Sequence, residues 1–283
     1  MGGDGVTGTR RHVLITGASR GIGRLAVERF ARGGWSVIAG VRDPAHLEPF
    51  DVGGVEVVRL DLNEPEQIAA AADRAHAIAG GALDCVVNNA GWALFGAVED
   101  VDLDDARRQF ETQLFGPVAL LQEVLPRMRE AGRGAVVNVS SLSGRVPLPL
   151  FGMYSAAKLS LTTVSEALAL EMAPFGVRVT VIEAGVVDTE FARSTVISGA
   201  VGTPATPYAA PRDAILGRLR AVRGDAPVRA QDVADAVFAA ADDPDAPLHV
   251  VLADEVLRDP VFDVEGRGPS AAVLDGVRAL FEF

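Results

Sequence analysis

Short apolar runs rich in Val and Ile recur along the chain and alternate with longer stretches of helical period. The runs predict strands at His12–Thr16, Trp35–Gly40, Val55–Leu60, Asp84–Asn88, Ala135–Ser140, Arg178–Glu183 and His249–Leu252. Near-continuous apolar strands are buried on both faces, as in a parallel sheet covered by helices. The helical stretches cover residues 22–32, 64–79, 103–130, 153–173 and 230–242. Asn63, Glu64 and Pro65 read as a helix entry, with an N-cap residue and Pro in the first turn. Strand–helix alternation of this kind predicts an α/β fold built on a doubly wound parallel sheet.

One stretch breaks the alternation. Residues 189–227 hold Gly199, Gly202, Pro204, Pro207 and Pro211 with small residues between. Insertions after the carboxyl end of a strand are where such folds bind ligands, so the stretch reads as a substrate lid with short helices. The alternative is an ordinary surface loop. Residues 1–10 read as a disordered leader, leaving 11–283 as one domain. The tail 266–283 is apolar at helical spacing and reads as a helix that packs on the body or on a second subunit.

A length of 283 residues, 49% of them hydrophobic, suits one large domain. The net charge of −12 argues against a nucleic-acid or anionic-membrane partner. No apolar stretch reaches membrane-spanning length. Arg10 and Arg11 precede only the short run His12–Thr16, too short for a signal-peptide core. An intracellular, cytoplasmic protein is expected. The single cysteine, Cys85, lies in an apolar run and excludes an intramolecular disulfide. The four histidines show no ligand spacing, so no metal site is expected and all four read as structural or surface residues.

The chemistry concentrates in the stretch that holds Ser141, Tyr154 and Lys158. A Tyr and a Lys four apart on a helix share a face. A phenol ionises near pH 10, too high for a free base at neutral pH, and a nearby ammonium favours the phenolate. A hydroxyl within reach can hold a carbonyl or alcohol oxygen. Together these groups can move a proton on or off oxygen while something else moves a hydride.

Directly after the first strand comes Thr16-Gly17-Ala18-Ser19-Arg20-Gly21-Ile22-Gly23. Its glycines permit a tight turn and close backbone approach, and the following helix N-terminus favours an anion such as a pyrophosphate. The second strand ends Val41-Arg42-Asp43, with Val41 where an acid would bind the ribose 2′-hydroxyl of NAD. Arg20 and Arg42 suit a 2′-phosphate instead, which favours NADP(H) over NAD(H). Asp43 could still rotate toward the ribose. Asp61 and Leu62 end the third strand beside the expected adenine, and Asn89, Ala90 and Gly91 end the fourth with small residues that admit the cofactor.

The combination of TGASRGIG, NNAG, Ser141 and YSAAK in this strand order resembles the short-chain dehydrogenase/reductase family over residues 11–255. The resemblance implies a single Rossmann-type sheet of about seven strands, usually in a homodimer or homotetramer. Helices 103–130 and 153–173 would form the subunit faces. It also implies NAD(P)(H)-dependent oxidation of alcohols or reduction of carbonyls. Carried over by position, Tyr154 is the general acid/base, and Lys158 binds the nicotinamide ribose and lowers the Tyr pKa. Ser141 orients the substrate oxygen, and it wins over Ser140 because the family spacing to Tyr is thirteen positions. Ser143 supports the turn. Gly185, Val187 and Thr189 resemble the segment that brackets the nicotinamide amide.

Two departures stand out. Ala184 replaces the Pro that usually precedes that glycine, and Gln113 stands where the family places an Asn that holds a backbone kink and a water linked to the catalytic Lys. Gln113 is carried as a fourth catalytic candidate that either reaches the same water or shifts the proton path. Apolar residues at 142–153, with Trp92, Leu94 and Phe95, suggest a lipophilic or ring-bearing ketone or alcohol, or else pack among themselves. Arg145 reads as a surface residue or as a partner for an acidic substrate group. The leading expectation is an NADP(H)-dependent carbonyl reductase or alcohol dehydrogenase. The alternatives are a redox-neutral isomerase, cyclase or dehydratase on the same scaffold, and a non-enzymatic NADP sensor.

Overall fold

In the computed structural model, residues 10–188, 191, 194–225 and 228–253 are described. The expected leader, the tail helix and Thr189 lie largely or wholly outside these residues. Seven parallel strands form the central sheet: β1 (His12–Thr16), β2 (Ser36–Val41), β3 (Val55–Arg59), β4 (Cys85–Asn88), β6 (Gly134–Ser141), β7 (Val177–Ala184) and β11 (His249–Leu252). Their order is β3-β2-β1-β4-β6-β7-β11, and every neighbouring pair is parallel. The strand order reverses beside β1, and such switch points open a crevice at the carboxyl ends of the strands.

Helices cover both faces because the strands are apolar on both. On one face α1 (Gly21–Arg32) and α7 (Ala230–Asp242) pack on Val13, Ile15, Val37 and Val137. Phe30 anchors that layer edge-on to Trp35 and Phe238, each ring centre 5.1 Å away. Burying a side chain of this size stabilises by about 1.5–3 kcal/mol. On the other face α2 (Pro65–Ala79) and α4 (Gly116–Ala131) bring Ile68, Leu120, Val124 and Met128 onto Leu14, Val86 and Val136. The long helix α5 (Gly152–Met172) adds Leu168 and Met172 to the same cluster. Cys85 is buried in β4 as expected, and burial pushes its thiol up to about 12, so it is inert packing.

Three expectations need correction. The stretch 103–130 is not one uniform helix. It splits into α3 (Leu103–Phe110), a π-helical turn at Glu111–Phe115, and α4. Pro117 has no N–H to offer the carbonyl four residues back, and the Gly116 N–H reaches the Glu111 carbonyl five back. The stretch 189–227 holds more than short helices, since α6 (Ala209–Asp225) runs for 17 residues. Its prolines hid it, yet Pro211 sits in the first turn, where proline is tolerated. At the start of α2 the N-cap is Glu64, without a side-chain cap, while Asn63 donates to Asp61.

One short pairing docks the 189–227 segment on the body, and a second closes its base. β5 (Leu94–Phe95) pairs with β9 (Val196–Ile197), and β8 (Val187–Asp188) pairs with β10 (Val228–Arg229). Asp100 accepts from the Ala200 N–H, and Ser198 Oγ accepts from the Asp102 N–H. No helix among the described residues is long and apolar enough to cross a membrane.

Candidate active site

The carboxyl ends of β1, β4, β6 and β7 converge on one crevice, and the sequence-selected residues cluster there. After β1 the chain turns through Gly17 and Gly21, both at positive φ (66° and 56°), a region open to glycine. A Cβ on Gly17 would meet Ala90 Cα at 2.7 Å, so the turn is seated on the end of β4. Thr16 locks that seat. Its hydroxyl accepts from the N–H groups of Asn89 and Ala90 at 3.0 and 3.1 Å, and Asn89 Nδ2 donates back to the Thr16 carbonyl at 3.0 Å. Thr16 was quoted in the motif without a role, and its role comes from this crossing hydrogen-bond set.

α1 starts at Gly21 with Arg20 at the N-cap, no side-chain cap and no acid in the first turn. Its first N–H groups therefore face the crevice without side-chain acceptors, the arrangement that takes an anion. Arg20 is exposed and donates to Ser194 Oγ at 2.6 Å. Arg42 is exposed and makes no hydrogen bond or ion pair among the described residues. Asp43 is committed elsewhere. It accepts from the Ala45 N–H at 3.1 Å and from His46 Nδ1 at 2.7 Å, which holds its carboxyl below the usual range. Asp61 and Leu62 follow β3 by two and three residues, with Asp61 Oδ1 accepting from Asn63 and Leu62 buried.

Ser141 ends β6, and its hydroxyl donates to the Ala184 carbonyl on β7 at 3.3 Å. The same oxygen accepts from the Ser143 N–H, and the hydroxyl lies close enough to the Tyr154 phenol to lower its pKa. Ser140 points away to Thr162 Oγ1 and the Lys158 carbonyl, so it fastens β6 to α5 and leaves the crevice to Ser141. Tyr154 and Lys158 lie one turn apart on α5, 8% and 5% exposed. Their electrostatics differ from expectation. Burial pushes the Tyr154 phenol up to about 12, opposed by the Ser141 hydroxyl, and burial pushes Lys158 down to about 8. The Lys158 ammonium donates to the Val139 carbonyl at 2.9 Å rather than to the phenol.

Lys158 is also distinctive in the composition of the chain. It is the only lysine in a chain with 26 basic residues. Arginine serves everywhere else. An arginine cannot lose its proton, whereas a buried ammonium shifts readily, so position 158 has a chemical need for lysine.

Gln113 lies in the π-helical turn, 1% exposed, and its amide donates to the Trp92 carbonyl. Gln109 donates to the same carbonyl at 2.9 Å. Gln113 Oε1 is buried without a hydrogen-bond partner among the described residues. The structure thus places Gln113 against the strand-end segment Gly91–Trp92, and a Cβ on Gly91 would meet its Nε2 at 3.2 Å. Gly185 donates to the Leu252 carbonyl, and Val187 enters β8, so this turn holds without the proline that Ala184 replaces.

Aromatic rings line the approach to Tyr154. Phe151 and Phe191 lie 6.2 and 6.1 Å from its ring centre, and Phe95 lies 5.0 Å from Phe151. Val146, Leu150 and Phe95 pack on Val201 and Ile215, so part of the apolar loop serves to hold 199–219 against the body. Leu150 adopts φ 65°, rare for a branched side chain, and the Gly96 N–H to its carbonyl at 2.8 Å helps retain it. Arg145 is neither a surface residue nor directed at a substrate. It forks onto the buried Glu183 at 2.7 and 2.6 Å.

Known proteins share this arrangement. Residues 11–197 match the short chain dehydrogenase family. An oxidoreductase, BOA17, of Botryotinia fuckeliana is 35% identical, with 92% of this chain and 93% of that protein covered. The crystal structure of a short-chain dehydrogenase from Streptomyces avermitilis superposes with a TM-score of 0.80 at 32% identity, covering 96% of this chain and 95% of that one. A short chain dehydrogenase from Burkholderia cenocepacia, solved in complex with NADP, gives a TM-score of 0.70 at 27% identity over 90% of this chain and 94% of that one. The sheet order, the crevice residues and these matches agree: the chain is an oxidoreductase of the short-chain dehydrogenase/reductase family.

Proposed function

We propose that the protein is an NADP(H)-dependent oxidoreductase that reduces a carbonyl of a lipophilic small molecule, or oxidises the matching secondary alcohol. The observation that carries this reading is the convergence of Ser141, at the end of β6, with Tyr154 and Lys158, one turn apart on α5, at the mouth of the sheet. A bound nicotinamide cofactor supplies the hydride. The uncapped start of α1 at Gly21, Ile22 and Gly23, with Ser19 before it, fits the pyrophosphate. Arg42 and Arg20 fit a 2′-phosphate, and the engagement of Asp43 with Ala45 and His46 supports NADP(H) over NAD(H). The Burkholderia relative with NADP supports the same choice.

Within this reading Ser141 holds the substrate oxygen. Tyr154 gives its proton to that oxygen as the carbon accepts hydride, and takes it back in the oxidative direction. Lys158 places a positive charge below the phenol, which favours the phenolate that forms. Phe95, Phe151 and Phe191 offer aromatic surface to a ring-bearing or lipophilic ketone. We place the enzyme in the cytoplasm as a homodimer or homotetramer, supported by the lone buried Cys85 and by exposed Leu103, Phe115, Leu159 and Leu170 on the expected subunit faces.

The test is Tyr154→Phe. NADPH consumption with cyclic and aromatic ketones is expected to fall by about 10²–10⁴-fold, while NADPH binding measured by fluorescence stays intact. Near-normal turnover in that variant would sink the assignment.

A further inference from the structure

Arg145 and Glu183 form a buried ion pair directly behind the crevice, and neither belongs to the motifs that identify the family here. Glu183 is fully buried on β7, one residue before Ala184, whose carbonyl accepts from Ser141. A buried carboxylate needs a partner. Arg145 supplies two parallel hydrogen bonds at 2.7 and 2.6 Å, and His249 Nδ1 stands 3.2 Å from Glu183 Oε2. Arg145 in turn closes the 3₁₀ turn Leu142–Gly144, for which Ser141 is the N-cap. Its N–H bonds the Leu142 carbonyl at 2.9 Å.

The other side of this turn presses on α5. A Cβ on Gly144 would meet the Leu159 nitrogen at 3.0 Å and the Lys158 carbonyl carbon at 3.2 Å. The turn is therefore held between β7, through the Arg145 fork, and the backbone of the helix that carries Tyr154 and Lys158. Ser141 caps its start, and among the described residues its hydroxyl is held by the Ala184 carbonyl and the Ser143 N–H.

We infer that Arg145, anchored by Glu183, is a positioning residue that sets the Ser141 hydroxyl against the Tyr154 phenol. The inference rests on the proposed roles of Ser141 and Tyr154. It predicts that weakening the fork moves the Ser141 hydroxyl relative to the Tyr154 phenol while the fold stands. Lysine at 145 keeps the charge and loses the two-pronged geometry.

The chain has two tyrosines, Tyr154 and Tyr208, so protein labelled with 13C at the tyrosine ζ carbon gives two resonances, assigned with Tyr208→Phe. Ser141→Ala is the reference for loss of the hydroxyl beside Tyr154. We expect Arg145→Lys to shift the Tyr154 resonance in the same direction as Ser141→Ala. The double variant Ser141→Ala with Arg145→Lys should show no further shift. Glu183→Gln, which keeps the shape of the anchor, serves as the second probe and should shift the resonance likewise. An unmoved Tyr154 resonance in Arg145→Lys and Glu183→Gln, where Ser141→Ala does move it, overturns the inference and leaves the proposed function standing. If Ser141→Ala itself leaves the resonance unmoved, the Ser141–Tyr154 pairing fails, and the functional reading and this inference fall together.

Discussion

Lys158 Nζ donates a 2.9 Å hydrogen bond to the Val139 carbonyl and lies 5.9 Å from the centre of the Tyr154 ring. The two groups that the motif pairs are thus neighbours, each shifted mainly by its own burial. Lys158 is pushed down to about 8 from 10.5 and Tyr154 up to about 12 from 10.0. Both shifts favour the uncharged forms, as desolvation does.

The lysine shift is open to direct measurement, because this chain has no second lysine. Protein labelled with 13C at the lysine ε carbon should give one resonance that titrates near pH 8. Its effect on stability has a definite sign. Between the folded value of about 8 and the unfolded value of 10.5, the unfolded chain holds more protons, so stability rises with pH across that window. The rise is at most about 3 kcal/mol for a shift of this size. Lys158→Met should flatten it in urea titrations run from pH 7 to 10.5. Identical slopes in wild type and variant would contradict the buried-ammonium picture.

The tyrosine shift predicts a split between directions. Carbonyl reduction uses the protonated phenol, which burial preserves well past neutrality, so its rate should stay level from pH 6 to 8. Alcohol oxidation uses the phenolate and should climb with pH over the same range. Initial rates in both directions on one ketone–alcohol pair check this. A reduction rate that falls tenfold across neutrality would mean that the essential proton sits elsewhere.

Much of the fold was legible in the sequence because the strands are apolar on both faces and the glycine turn has one workable geometry. All seven predicted strands stand within one residue or so of their expected ends. What escaped reading depended on contacts distant in sequence. The π-helical turn follows from Pro117 and from Gly116, where a Cβ would meet the Leu62 carbonyl oxygen at 2.4 Å. The α6 helix was masked by Pro204, Pro207 and Pro211, which read as loop until the first turn absorbs the last of them. Arg145 looked like a surface residue because its partner, Glu183, lies 38 positions away on another strand. The structure brings the crevice residues together. The partners of Lys158 and Gln113 were not legible in the sequence, since a side chain's hydrogen-bond partner is set by tertiary packing.

The proposed preference for NADP(H) rests on Arg42. Its guanidinium has no partner among the described residues, and the neighbouring carboxylate of Asp43 is held by Ala45 and His46. Arg42→Ala should raise the KM for NADPH about 10- to 150-fold, the loss of one charge-assisted hydrogen bond of about 1.5–3 kcal/mol, and leave the KM for NADH nearly unchanged. Steady-state kinetics with both cofactors decide it. Equal losses for the two would point to a structural effect at the end of β2.

Gln113 replaces an expected asparagine, and its contacts define what it can do. Its amide and that of Gln109 converge on the Trp92 carbonyl, just ahead of β5, whose Phe95 packs at a tilt against Phe151 near Tyr154. Removing one of two such hydrogen bonds costs about 0.5–1.5 kcal/mol, partly offset because the unpartnered Oε1 disappears with it. Gln113→Leu should therefore fold normally. The remaining Gln109 bond keeps the segment in place but looser, which affects the wall that meets the substrate more than the proton-bearing groups. We expect the KM for a ketone to rise up to about tenfold with kcat within about twofold, because the lost bond supported ground state and transition state alike. A large fall in kcat with a displaced pH profile would instead put Gln113 on the proton path.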